Sequence, residues 1–391
     1  MQHPATRFIV DAHLDMAYNA LIWKRNYRRA ARWTREHEAD TPAAKHNGEC
    51  LVGLPDLIRG RVGLIFGTIF TQPKKRNMGP YEEVYEDAQQ AHAQGMAQFD
   101  YYRRWAERDP EHIKLVTNQA TLREVCAAWG VERGAWSEGD SSPLNASRST
   151  TSASRSAPHA PRLHHPIGIV PLMENADPIL EPKQLEQWYE KGLRIVGPAW
   201  DNSRYAGGTW SGSGVGLTSM GRELLEVMAE FNVILDVSHL SHQSLLEALD
   251  VFEGKHVIAS HCNVHRFIQT ERHLPDNAIE RLAERNGVIG VVPFNKFLQR
   301  EWSGRKHDVT LDDVVRMIDH ICQVTGSANH VGIGSDFDGG FGAQATPREI
   351  DTSRDMHKIG DVLLERGYDP THVAQIMHGN WLRVLSEALP G

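Results

Sequence analysis

The chain has 391 residues, 40% of them hydrophobic, with 42 basic against 50 acidic side chains and a formal charge of −8. That length suits one barrel with insertions, the apolar fraction suffices for a large core, and the acidic balance argues against a nucleic-acid polyanion as partner. Four cysteines, Cys50, Cys126, Cys262 and Cys322, are widely spaced with no CxxC pair, which suits reduced thiols in a cytoplasmic protein better than a disulfide framework or a structural zinc knuckle. The opening MQHPATRFIV lacks a basic segment followed by an apolar run, and no stretch approaches the length of a membrane span. The expectation is a soluble, cytoplasmic protein with no membrane partner.

Taken in order, short apolar and β-branched runs predict strands at Arg7–Asp11, Val62–Phe70, Ile167–Leu172, Leu193–Gly197, Val233–Val237, Val257–Ser260, Val288–Val292 and Val331–Gly334. Most are continuous rather than alternating, as parallel strands buried on both faces require. Helical patterns lie between them. The clearest is VTLDDVVRMIDHICQVTG, with Thr310 and Asp313 as a capping pair and Leu311, Val314, Val315, Ile318 and Cys322 on one face. LTSMGRELLEVMAEF and LPDNAIERLAERNG are similar. The alternation predicts an α/β chain folded as a (β/α)8 TIM-like barrel with long polar loop insertions, a single domain over residues 1–391. HIKLVTN, residues 112–118, is a candidate for one further short strand. Residues 24–50 are polar without a strong period and read as a long βα loop. Residues 137–166 are rich in Ser, Pro, Ala and Arg and read as a low-complexity insertion.

Catalytic groups of such barrels gather at the carboxyl ends of the strands. The first run, FIVDAHLDM, ends in His13 and Asp15, an HxD pair whose alternation can aim both groups at one point. PLMENAD supplies Glu174, ILDVSHLS supplies Asp236 and His239, VIASHCN supplies His261, and VGIGSDFDGG supplies Asp336 and Asp338. Each alone has an ordinary structural explanation: a hydrogen-bonded strand-end histidine, or an aspartate capping a turn. Asp11 and Asp236 lie within strands and read as supports. His164 and His165 fall in the low-complexity segment, and His92, His320 and His378 fall in helical patterns, so all read as surface or packing residues. Together, the strand ends offer imidazoles and carboxylates, the donors of a paired divalent-metal site with a spare acid/base. Ligand type alone admits several divalent ions.

In this order and near this spacing, DAHLD, LDVSHLS, ASHCN, GIGSDFDG and the later GNWLRVL resemble the membrane (renal) dipeptidase family of metallopeptidases. The resemblance runs from about residue 7 to residue 386 outside the two polar segments. It implies an amidohydrolase-like barrel with two zinc ions that cleaves dipeptides by a metal-bridging hydroxide, and a homodimer. Carried over, His13, Asp15 and Glu174 hold one zinc, Glu174 bridges to a second held by His239 and His261, and Asp336 is the acid/base. Arg272, in QTERHLPDN, matches the arginine that grips the substrate carboxylate, against the competing reading of a surface arginine leading into a helix. One departure stands out. The family has Thr-His followed by an Asn after the fourth strand, whereas VGPAWDNS keeps Asn202 as a substrate contact but places Ala199 or Trp200 at the histidine position. An amidohydrolase acting on N-acyl amino acids, D-configured dipeptides or peptide-like metabolites is therefore the alternative. A catalytically silent barrel used for binding is the second.

Overall fold

The structure, a computed structural model, describes residues 8–76, 79, 83–131, 165–210 and 214–391. All eight apolar runs form strands: β1 Ile9–Leu14, β2 Val62–Ile69, β3 Ile167–Met173, β4 Ile195–Val196, β5 Ile234–Asp236, β6 Val257–Ile258, β7 Ile289–Val291 and β8 Val331–Ile333. They lie parallel in the order β7-β8-β1-β2-β3-β4-β5-β6, and a parallel bridge between Ala259 and Ile289 joins the two ends into a nearly closed barrel. The additional strand expected within HIKLVTN is Ile113–Leu115, paired parallel with β3.

Val10, Leu64, Val170, Ile195, Ile234, Ile258 and Val288 belong to one buried cluster with Trp381 and Leu385 of the C-terminal helix Asn380–Ala388. Consecutive strands of a barrel can share such a cluster only inside it. A larger cluster fills the layer between sheet and helices. The helix expected after Val309 is Leu311–Thr325, with a reciprocal capping box between Thr310 and Asp313; Met317 and Ile321 join its buried face.

β1 carries one extra residue near its end: Asp11 is opposite Ile65 but Leu14 is opposite Gly67. A bulge of this kind re-aims side chains, and it falls beside His13. Asp11 joins β1 to the end of β8, accepting Ser335 N–H at 2.7 Å and Ser335 Oγ–H at 2.6 Å. Burial pushes its carboxyl up to about 6, against the lowering effect of those two bonds.

Residues 24–50 are not the simple loop that their polarity suggests. They contain helices Ala31–Glu38 and Pro42–His46. The inward face of the first carries Ala31, Thr34 and Glu38, so its buried stripe is mostly polar and no apolar period reveals it. Glu38 receives the buried Arg25, whose Nη1 also lies 3.2 Å from Asp338 after β8. Asp338 further accepts Leu51 N–H at 2.7 Å and Tyr27 Oη–H at 3.2 Å, and its carbonyl accepts Asn19 Nδ2 at 3.0 Å. The segment is thereby anchored to the barrel mouth. The 137–166 insertion lies outside the described residues up to position 164; His165 stacks on Trp129 at 4.6 Å.

Removing the Asp338 carboxylate leaves the Arg25 guanidinium buried with Glu38 as its remaining carboxylate partner. Asp338→Ala is expected to lower unfolding free energy in urea by about 3 kcal/mol; a loss below about 1 kcal/mol would show that the anchor lies elsewhere.

Candidate functional site

The six side chains expected to carry the chemistry come from five strand ends and meet at the carboxyl mouth of the barrel. His13 Nε2 lies 3.6 Å from Glu174 Oε2 and 4.0 Å from Asp336 Oδ1. The other oxygen of Glu174, Oε1, lies 3.0 Å from His239 Nε2 and 3.6 Å from His261 Nε2. His239 and His261 bring their Nε2 atoms to 2.8 Å, and the rings of His13 and His261 stack at 3.5 Å. Two groups, His13–Glu174–His261 and His13–Asp15–Asp336, each place one donor atom per residue within 4.8 Å of the others.

A hydrogen-bonded network behind the histidines fixes how they are presented. Ser238 Oγ–H and Ser260 Oγ–H both donate to Asp236, each at 2.5 Å. With its proton committed, Ser260 Oγ can only accept from His261 Nδ1 at 2.8 Å and from His13 Nδ1 at 3.3 Å. The tautomers assigned from this network put hydrogen on Nδ1 and leave Nε2 of both rings as the donor atom facing Glu174. This is how metal-ligating histidines are commonly oriented. Thr68 Oγ1 donates to Asp15 and, at 3.2 Å, to the carbonyl of Leu14. Ser238, Ser260 and Thr68 were not anticipated from the sequence. For the serines the signal was present, since LDVSHLS and ASHCN each place Ser directly before His.

The electrostatics of the cluster are unbalanced. Burial pushes the Asp15 carboxyl up to about 7, with Glu174 adding to the effect. Burial also lifts Asp336 well above the usual carboxylate range, reinforced by Asp15 and Glu174. Glu174 is held well below its usual range, because the surrounding imidazoles, His13 foremost, outweigh burial. Burial pulls His13 down, yet Glu174, Asp15 and Asp336 together raise it to about 9. Burial and then the Arg272 charge hold His239 down to about 3, and burial keeps His261 well below the imidazole range. Three carboxylates converging on one imidazole, beside two neutral imidazoles, are relieved by a divalent cation. The donor atoms fit one: nitrogen and carboxylate oxygen with no thiolate. His13 Nε2 is buried without a hydrogen-bond partner among the described residues, as a ligand atom would be.

Asp336 and Asp338 both adopt left-handed backbone, with φ of 57° and 66°, a conformation tolerated at aspartate and concentrated at functional sites. Between them and the next turn, Gly339 leaves no room for a side chain. A Cβ there would stand 2.0 Å from Asp336 Oδ1 and 2.7 Å from Asp15 Oδ2.

Arg272 is not on the surface, as the competing reading had it. It is 3% exposed, its Nη1 donates to Ser238 O at 2.9 Å and Cys262 Sγ at 3.2 Å, and its guanidinium lies over Phe297. Nε and Nη2 are buried with no hydrogen-bond partner among the described residues. Asn202 turns into its own loop after β4, its Oδ1 accepting Gly208 N–H at 3.2 Å. Ala199 is buried, and the Trp200 ring stands 6.2 Å from His239.

A parallel eight-stranded barrel with a buried imidazole–carboxylate cluster at its carboxyl mouth has the make-up of a metal-dependent hydrolase. Residues 144–389 match the family model of membrane dipeptidase, peptidase family M19. The chain belongs to that family, whose members are metal-dependent. It is 30% identical over 212 residues to an uncharacterized protein from the pqqA 5′ region of Klebsiella pneumoniae, covering 52% of this chain and 76% of that relative. With an uncharacterized dipeptidase of Schizosaccharomyces pombe it shares 32% identity over 209 residues, 52% of this chain and about half, 48%, of the yeast protein. The fold matches a Rhodobacter sphaeroides metallopeptidase, solved with a phosphinate mimic of the dipeptide L-Ala-D-Ala, with a TM-score of 0.71 and 22% identity across 98% of this chain and 99% of that one. Among the described residues no helix is long and apolar enough to cross a membrane.

Because Asp236 sets the histidine tautomers through Ser260, Asp236→Asn is expected to weaken divalent-ion binding roughly 10–100-fold, read by competition with a chromogenic chelator. Unchanged affinity in a folded variant would remove the network from metal binding.

Proposed function

We propose that the chain is a zinc-dependent dipeptidase that hydrolyses the amide bond of dipeptides, with two divalent cations held at the barrel mouth. The observation that carries this reading is the divided carboxylate of Glu174, with Oε2 toward His13 and Oε1 toward His239 and His261. A carboxylate so placed can serve two ions. His13 and Asp15 would complete one position, and His239 and His261 the other. Bound ions supply Lewis acidity for the scissile carbonyl and lower the pKa of water.

The chain's own residues carry the remaining work. Asp336, beside His13 and partly open to solvent, takes the proton of the attacking water and delivers it to the leaving amine. Arg272 presents Nε and Nη2, the parallel donors of a guanidinium edge, for bidentate capture of the substrate's free carboxylate. Asn202 shapes the loop that carries Trp200 and lies where the family has a substrate contact.

Trp200 favours a second reading within hydrolysis, in which the substrate is an N-acyl amino acid, a D-configured dipeptide or a peptide-like metabolite. The dipeptide mimic bound by the Rhodobacter neighbour is of L,D configuration, which keeps such dipeptides in the substrate panel. Cytoplasmic placement is part of the proposal, supported by four cysteines that are all unpaired. A homodimer is part of it through the family resemblance. Convergence of all six site residues leaves a catalytically silent barrel without support.

A panel of L,L- and L,D-dipeptides against N-acyl amino acids, run on zinc-loaded enzyme, tests the substrate class; hydrolysis confined to N-acyl amino acids would overturn the dipeptidase reading. Asp336→Asn is expected to retain metal and lose at least about 100-fold in kcat/KM. A near-normal rate would exclude Asp336 as the proton carrier.

A further inference from the structure

Four aromatic side chains form a continuous series of ring contacts along one side of the mouth. Tyr18, in the helix after β1, meets Phe70 after β2 at 5.3 Å, and Phe70 meets Trp200 after β4 at 5.1 Å. Trp200 in turn meets Trp210 at 6.2 Å, and its other neighbour is the site residue His239 at 6.2 Å. The series begins in the interior and ends in solvent: Tyr18 is 7% exposed, Trp200 9% and Trp210 40%. An indole left that open at the end of an aromatic series leading from a polar cluster is an apolar surface in need of an occupant.

Position around the barrel says which part of a substrate would meet it. The wall is built on the sector after β1, β2 and β4. Arg272 follows β6 and lies over Phe297, which follows β7. Trp200, after β4, stands 6.2 Å from His239, and Arg272, after β6, donates to Ser238 O at 2.9 Å, so the wall and the unpartnered guanidinium edge flank the end of β5 from its two sides. A substrate whose carboxylate lies on Arg272 and whose scissile carbonyl lies at the cluster directs its acyl-side residue towards Trp200 and Trp210. We propose that this wall is a specificity subsite selecting substrates with a large apolar side chain on the residue that contributes the scissile carbonyl, and that Trp200 serves it where the family has a histidine. The inference rests on the orientation given under Proposed function.

The test is calorimetric binding of two non-hydrolysable phosphinates, analogues of L-Phe-D-Ala and L-Ala-D-Ala, to zinc-loaded wild type, Trp210→Ala and Trp200→His, with kcat/KM for the matching dipeptides measured in parallel. Burial of a benzyl group on the wall is expected to make the Phe analogue bind roughly tenfold or more tighter than the Ala analogue in wild type. That ratio is expected to fall to about threefold or less in Trp210→Ala, an exposed position whose truncation leaves the core intact, and to fall in Trp200→His. Equal affinities in wild type, or a ratio unchanged in both variants, would overturn the subsite. Selective binding without hydrolysis of either dipeptide would support the wall while overturning the dipeptidase reading.

Discussion

Asp236 takes the hydroxyl protons of Ser238 and Ser260, and through Ser260 it decides which nitrogen of His13 and His261 faces the cluster. Three strand ends, those of β5, β6 and, across the barrel mouth, β1, are coordinated by this one carboxylate. Its own partners are fixed by covalent neighbours, since each serine directly precedes a histidine of the site. Buried imidazoles without such backing could rotate or change tautomer, and their Nε2 atoms would no longer converge. The barrel supplies position, and the serine–aspartate network supplies orientation.

Charge balance is the second constraint. Asp15, Glu174 and Asp336 are brought together under burial, which raises the cost of every unpaired carboxylate. His13 answers part of that demand, and a cation answers more of it. The loop after β8 holds its share of the cluster in left-handed backbone at Asp336 and Asp338, with Gly339 opening space beside the Asp336 and Asp15 carboxylates. The same loop is secured from behind by Arg25, Tyr27 and Leu51 on Asp338. The polar segment between Lys24 and Cys50 thus works as a clamp on the loop after β8, which accounts for its polarity.

Strand positions were legible in the sequence because parallel strands buried on both faces leave uninterrupted apolar runs, and each of the eight was located to within a few residues. The site residues were legible as candidates because they follow those runs directly, and the structure brings His13, Asp15, Glu174, His239, His261 and Asp336 together. What stayed hidden has physical reasons. Helix Ala31–Glu38 turns Thr34 and Glu38 inward, so hydrophobic periodicity does not mark it. The bulge in β1 is a matter of register with β2, which no single strand displays. The burial of Arg272 comes with contacts to Ser238, Cys262 and Phe297, which follow three different strands. Trp200 was visible as a departure, but its contacts with Phe70 and Trp210 join loops from different strands.

The central claim is that the cluster is a two-ion site bridged by Glu174. The most direct measurement is metal content of purified protein after equilibration with zinc and removal of free ion, read by elemental analysis for wild type and Glu174→Gln. The account predicts about two ions per chain in wild type and a loss of at least about one in the variant. Wild-type protein retaining fewer than about one ion per chain, or a variant with undiminished content, would contradict it.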